Sequence, residues 1–398
     1  MKKKSVKPVI DRARYESFGG IISCLEPPML AWVDKEFMRT MGYENSPLWQ
    51  EKARASTYLS APTEVHLAVT NRCGRGCEGC YMDSQSAVPG ELSTAELKKA
   101  FLGLRNLGVF HVALGGGEAF ERSDFPEIVS YCREIGLVPN LTTSGNSVGD
   151  REIEICKRMG QVNVSIDGIG PLYGVNGRNG DFELVKKAIR KLKKAGVPVG
   201  INCVVSHKNF PHITDVVAFA SAEKLNEVEF LKFKPSGRGR RHYAENALTQ
   251  NMIRAFYPAL MRLGKRYGIE LKIDCSFIPA MLFHKPPKDE LEKLAVTGCD
   301  AGNMLMSVRS NGVFAGCSFM ENKGKESVFE IAERWHSSEH LKKFRDLVAR
   351  AKQPCRSCTY LTICRGGCRA TASYYAEDFF TPDPECPFVY DYAKGRKK

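Results

Sequence analysis

From Glu64 onward the chain alternates short apolar runs with amphipathic stretches, and this alternation limits the fold more than any other feature. Strand-like runs fall at Val65–Val69, Phe110–Leu114, Leu137–Leu141, Val162–Ile166, Val197–Val205 and Glu227–Leu231. Helix-like segments lie between them near 94–107, 124–135, 149–159, 181–195 and 210–222. Two of these open on clear caps: Ser93-Thr94-Ala95-Glu96 is a capping-box pattern, and Asp181 begins its helix. Strands alternating with helices imply a parallel sheet whose chemistry sits in the loops at the strands' C-terminal ends. Six such units make an α/β fold, an open or partial (β/α)6 TIM-like barrel. A helix over Thr249–Tyr267 and a strand at Ile269–Ile273 close it.

The flanks read differently. In residues 1–60, Phe18–Cys24 and Met29–Val33 read as strands around a Glu26-Pro27-Pro28 turn, with a helix over Asp34–Met41. A lone hairpin is marginal in water, so this leader region is expected to dock on the barrel. Structural packing is its simpler role; offering an edge to an extended peptide is the other. Beyond Cys275 the periodicity fades and cysteines become dense, which divides the chain into 1–60, 61–274 and 275–398.

Fifteen cysteines are many for 398 residues. Met1-Lys2-Lys3-Lys4 is followed by no apolar h-region, and no run approaches the span of a bilayer, so a reducing, cytoplasmic setting is expected and no membrane partner. There, clustered cysteines favour metals over disulfides. The net charge of +13 is spread along helices and in the tail Lys394-Gly395-Arg396-Lys397-Lys398. It fits a solvated basic surface or an acidic electron-transfer partner as well as nucleic acid.

Cys73-Gly-Arg-Gly-Cys77-Glu-Gly-Cys80 follows the first strand and can wrap one inorganic cluster while leaving a position open. Structural zinc normally takes four protein ligands, and no fourth cysteine is near. Gly115-Gly116-Gly117-Glu118 follows the second strand, where glycines allow close backbone approach and the carboxylate can receive an ammonium group. Thr142-Thr143-Ser144-Gly145-Asn146 makes a polar lip after the third strand. The fourth ends Ser165-Ile166-Asp167-Gly168, with Ser165 and Asp167 on one face.

Together, C-x3-C-x2-C, GGE and Ser-x-Asp-Gly resemble the radical S-adenosylmethionine (SAM) superfamily over roughly residues 64–274. The resemblance implies a [4Fe–4S] cluster on Cys73, Cys77 and Cys80, whose open iron binds SAM and whose reduction cleaves SAM to a 5′-deoxyadenosyl radical. It places Gly116, Gly117 and Glu118 at the methionyl amine, Ser165 and Asp167 at the ribose region and Arg178 at the carboxylate. Many members carry an aromatic just before the third cysteine; here Gly79 stands there, and Tyr81 is expected to supply the ring.

The C-terminal cysteines resemble the SPASM extension of peptide-modifying members, which holds two auxiliary [4Fe–4S] clusters. Its pairing assigns Cys355, Cys358, Cys364 and Cys386 to one, and Cys299, Cys317 and Cys368 to the other, with Cys275 a candidate fourth ligand. Cys24, Cys132, Cys156 and Cys203 read as ordinary buried thiols, and the histidines as filler. Formylglycine-forming members carry Asp where this chain has Ser318, which weakens that reading; no catalytic base is assigned.

The implied activity is oxidative maturation of a ribosomally made peptide, served by a flavodoxin- or ferredoxin-type reductant. A tetrapyrrole, haem-pathway or other small-molecule precursor is the alternative substrate. A zinc-bearing nucleic-acid-binding protein is the alternative of another class.

Overall fold

The computed structural model describes residues 10–25, 28–50 and 58–395, so Met1–Lys4, Glu26, Pro27 and the last three tail residues lie outside it. Strands β1 (Ile10–Glu16), β2 (Gly19–Leu25) and β3 (Pro28–Asp34) form an antiparallel sheet in that order, followed by helix α1 (Lys35–Thr40). Ile22, Met38 and Trp49 form its small core. β1 escapes the sequence pattern because its arginines serve the docking. Arg14 is buried, pairs with Glu16 at 2.8 Å, and donates to the carbonyls of Pro62 and Gly108, each at 2.9 Å. Arg12 lies over the Phe110 ring, 4.4 Å from its centroid.

The expected strands follow as β4 (Glu64–Thr70), β5 (His111–Gly116), β6 (Val138–Thr143), β7 (Val162–Ser165), β8 (Val199–Val205) and β9 (Glu227–Lys232), all parallel and adjacent in chain order. The connecting helices are α2 (Thr94–Leu107), α3 (Phe125–Glu134), α4 (Asp150–Cys156), α5 (Phe182–Lys194) and α6 (Ile213–Ala222). Ser93 and Glu96 make both bonds of the capping box on α2, and Gly108 ends it at φ +110°. Helix α7 (Tyr243–Asn246) and α8 (Gln250–Tyr267) lead into β10 (Glu270–Ile273), parallel to β9.

The sheet does not stop where the periodicity fades. β11 (Leu305–Val308) pairs parallel with β4 on its other side, and β12 (Phe314–Ala315) pairs antiparallel with β11. The cysteine-rich region thus covers the edge that β4 would otherwise expose.

Strand alternation sorts the side chains. Val65, Val112, Val164, Val228 and Phe230 are fully buried within the main hydrophobic core. His66, Asn140, Asn163, Asn202, Glu227 and Glu229 line an interior cavity. In a flat sheet β4 and β9, five positions apart, would stand about 24 Å from each other. Yet Glu229 of β9 is close enough to His66 and Glu64 of β4 for their charges to interact, so the sheet is curled around this lumen. Among the described residues no helix is long and apolar enough to cross a membrane.

Candidate active site

The loops at the C-terminal strand ends meet over a cavity of about 1140 Å³, lined by Cys73, Cys77 and Cys80 and also by Gly116, Gly117, Glu118, Ser165, Asp167 and Arg178. The structure therefore brings together around one cavity every residue expected from the three motifs after β4, β5 and β7.

How each is held follows from the local chain. The backbone after β5 runs against the segment leaving β4: Gly117 N donates to Thr70 O at 2.7 Å and Glu118 N to Arg72 O at 2.9 Å. A Cβ on Gly117 would stand 1.9 Å from the Arg72 carbonyl oxygen, and Gly116 sits at φ +110°. Chain-on-chain contact thus requires these glycines beside the thiol loop. The Glu118 carboxylate accepts from Thr143 Oγ1 at 2.9 Å and from the amide and hydroxyl of Ser144 at 3.0 and 2.8 Å. Burial pushes its pKa up, against those donors. The polar lip after β6 therefore fixes the direction of this carboxylate.

Asp167 accepts from Val204 N at 2.9 Å and from Arg178 at 3.0 Å, so carboxylate and guanidinium face the cavity as a pair. Burial opposes the charge on Arg178, but Asp167 and then Tyr173 and Cys77 outweigh it and raise its pKa. The same loop reaches the thiols: Asn179 N lies 3.3 Å from Cys77 Sγ, and Glu78 N donates to Gly177 O at 2.9 Å.

A second clamp was invisible in the sequence. The Gly/Arg-rich loop after β9 folds under the thiol loop, where Arg238 donates to the carbonyl of Cys77 at 2.8 Å and of Ser84 at 3.1 Å. Gly79 is explained here as well, since its Cβ would meet Asn176 O at 2.6 Å and the Phe233 ring at 3.1 Å. Phe233 is the ring beside Gly79. Tyr81 turns instead toward Phe319 of the C-terminal region, with centroids 4.9 Å apart.

The C-terminal cysteines fall into two sets. Cys355, Cys358, Cys364 and Cys386 line one small, largely apolar cavity. Cys275, Cys299, Cys317 and Cys368 are linked through mutual charge effects: Cys275 with Cys299, and Cys299, Cys317 and Cys368 with one another. Burial pushes Cys299 and Cys355 up to about 11 and Cys317 and Cys386 to about 12. Such thiols keep their protons until a cationic centre displaces them. Among the described residues, no three His, Cys, Asp or Glu side chains converge closely enough for a single metal ion. Thiols in sets of three and four are the donor type that an iron–sulfur cluster takes. Cys24, Cys132, Cys156 and Cys203 are buried.

His66 departs from its expected role as filler. Its Nε2 lies 3.1 Å from Glu64 Oε1 and its Nδ1 3.2 Å from Ser318 Oγ, joining β4 to the C-terminal region across the cavity. Alternation had already put His66 on the inner face; its partner, 252 residues away, had no local signal.

The Radical SAM superfamily profile matches residues 67–220. The AdoMet-dependent heme synthase of Methanosarcina barkeri is 30% identical over 347 residues, spanning 82% of this chain and 97% of that protein. Mycofactocin maturase MftC of Mycobacterium tuberculosis is 27% identical over 344 residues, 82% of this chain and 83% of that one. The fold of Streptococcus suis SuiB, solved bound to its precursor peptide SuiA, superposes with a TM-score of 0.76 at 17% identity, covering 94% of this chain and 98% of that one.

Proposed function

Because this chain belongs to the radical SAM superfamily, an enzyme family of oxidoreductase type that uses SAM and a [4Fe–4S] cluster, we propose that it oxidatively matures a ribosomally made peptide. The observation that carries the reading is the reach of the cavity. It exceeds the usual span for one ligand, about 300–1,000 Å³. It runs from the three thiols past Ser318 and Phe319 to Met29 and Leu30 of β3, an edge strand with Met29 and Trp32 exposed. An extended peptide can pair with such an edge and reach the chamber. The resemblance to MftC and the fold shared with SuiB support the same reading.

When bound, SAM and its cluster supply hydrogen-atom abstraction from an unactivated carbon. Cys73, Cys77 and Cys80 hold the cluster. Gly116, Gly117 and the oriented Glu118 receive the amino end of SAM, and Ser165 and the Asp167–Arg178 pair its ribose and carboxylate. Arg238 and the amide of Asn179 keep the thiol loop in place. Cys355, Cys358, Cys364 and Cys386 hold one auxiliary cluster; Cys275, Cys299, Cys317 and Cys368 hold the other. The reading carries with it a division into 1–60, 61–274 and 275–398, a cytoplasmic location and a flavodoxin- or ferredoxin-type reductant.

The heme synthase relative favours a second reading, a tetrapyrrole substrate. Anaerobic reconstitution, then mass spectrometry of peptides encoded beside the gene and of a porphyrin precursor, separates the two. The expected result is a peptide lighter by two hydrogen atoms, or cross-linked, with 5′-deoxyadenosine formed and both absent in Cys73→Ala. Conversion of the porphyrin with every peptide unchanged would replace the first reading by the second.

A further inference from the structure

The inner wall of the lumen is a polar network whose members are paired off. Gln161 donates to Glu227 at 2.7 Å, Asn163 to Asn202 at 2.8 Å, and Asn140 to Glu64 at 3.4 Å. Each neighbouring acid has its own cation: Glu64 has His66, Glu227 has Lys272 at 2.5 Å, and Asp274 has Lys234. Glu229 stands apart. It lines the cavity from β9, and its carboxylate makes neither a hydrogen bond nor an ion pair among the described residues.

Glu229 is partly exposed, so its carboxylate opens onto the chamber, and an acid there with no partner from the protein is free to receive a ligand that brings the donor. The surroundings decide which kind. Asp274, Glu227 and Glu64 all face Glu229, with His66 and Lys272 the nearby cations, each already paired with one of those acids. In this local group, the four acids Glu64, Glu227, Glu229 and Asp274 against the cations His66, Lys234 and Lys272 leave one positive charge wanting when His66 is protonated, and two when it is not. A neutral donor would satisfy hydrogen bonding and leave that imbalance; a cation corrects both.

We propose that Glu229 is a substrate-docking residue that receives a cationic side chain, an ammonium or guanidinium, at the floor of the chamber. The carboxyl group is pushed up to about 7 by burial first and then by Asp274, which describes a site lacking its counter-ion. A docked cation lowers that value and releases a proton near neutral pH. The inference rests on the lumen being the substrate chamber of the oxidation proposed above.

The test uses the anaerobically reconstituted full-length enzyme and three probes: N-acetyl-lysine amide, N-acetyl-arginine amide and the neutral N-acetyl-norleucine amide. Saturation-transfer NMR should show at least one cation binding about tenfold or more tighter than norleucine amide, as a charge-assisted hydrogen bond requires. Glu229→Gln should bring it to the norleucine level, and Glu229→Asp should keep part of the preference. Equal binding of all three, no saturable binding of either cation, or a preference that survives Glu229→Gln overturns the proposal. The mass of the peptide in the assay above, run on the same preparations, reports separately on the oxidation, so the two ideas fail independently.

Discussion

Lys232 offers the sharpest test of how the barrel and the cysteine-rich region are joined. It ends β9, and its ammonium lies 2.7 Å from Glu385 Oε2 and 3.8 Å from Asp383 Oδ2, with the three side chains between 1% and 10% exposed. Glu385 Oε2 has no aligned donor, so the contact is an ion pair rather than a formed hydrogen bond. Asp383 in turn accepts from the amide of Cys368 at 2.9 Å, and Cys386 N donates to Asp383 O at 3.1 Å. Replacing Lys232 by methionine keeps most of the volume and strands two buried carboxylates. The expected cost is about 3–5 kcal/mol, mostly the uncompensated charge rather than the lost contact. Urea unfolding at pH 7.5 measures it, and iron per chain should fall because the Cys368 and Cys386 backbones lose their anchor. Adding Glu385→Gln should recover part of the loss. Burial opposes the charge on Lys232, but Glu385 and then Asp383 raise its pKa well above 10.5. A raised value in the folded state means the contribution is fully present below 10.5 and lost only as pH rises through the folded value. The difference between wild type and Lys232→Met should therefore stay level from pH 7 to 9. A loss under about 1 kcal/mol with iron unchanged would refute the reasoning.

Other outcomes follow from single contacts. Gly117→Ala puts a Cβ 1.9 Å from the Arg72 carbonyl oxygen, so the loop after β5 must move; SAM affinity by calorimetry should drop about tenfold or more, and wild-type affinity would show that the loop is not fixed there. Glu229→Gln should be more stable than wild type at pH 8 by about 1–3 kcal/mol. Its carboxyl titrates near 7 folded and at the ordinary 4.5 unfolded, so wild-type stability falls as pH rises through that window; denaturation curves at pH 4 and 8 that differ equally would sink the assignment. Cys73→Ala should abolish 5′-deoxyadenosine formation, whereas Cys355→Ala should keep SAM binding while losing about one-third of the iron. Intact iron in Cys355→Ala would remove that thiol from the ligand set.

What was legible in the sequence depended on distance along the chain. Strands β4–β9 were readable because each buries one apolar face under its own helix, a pattern complete within about ten residues. The capping box on α2 and the buried Cys132 and Cys203 are equally local. β1 was not readable, because Asp11, Arg12 and Arg14 interrupt its apolar alternation, and the two arginines are used in docking. Arg238, Lys232 and His66 share one reason for being missed. Their partners lie between 151 and 252 residues away in the chain, at Cys77, Asp383 and Ser318, and no local pattern encodes such a pair.

Those same long-range contacts bear on why the two cysteine sets share one chain. β11 pairs with β4, Phe319 packs on Tyr81 and under Lys234, and Ser318 meets His66. The segment that carries Cys317 is thus also a wall of the chamber, one residue from the groups that face it. With Cys317 holding an auxiliary cluster as proposed, a thiol-ligated centre would stand behind this wall, with His66 and Glu229 among the groups lining the same chamber. Burial opposes the charge on His66, but Glu64 and then Glu229 outweigh it and raise its pKa. The chamber is assembled from both parts of the chain; a barrel ending at β10 would leave β4 with an open edge and the lumen without that wall.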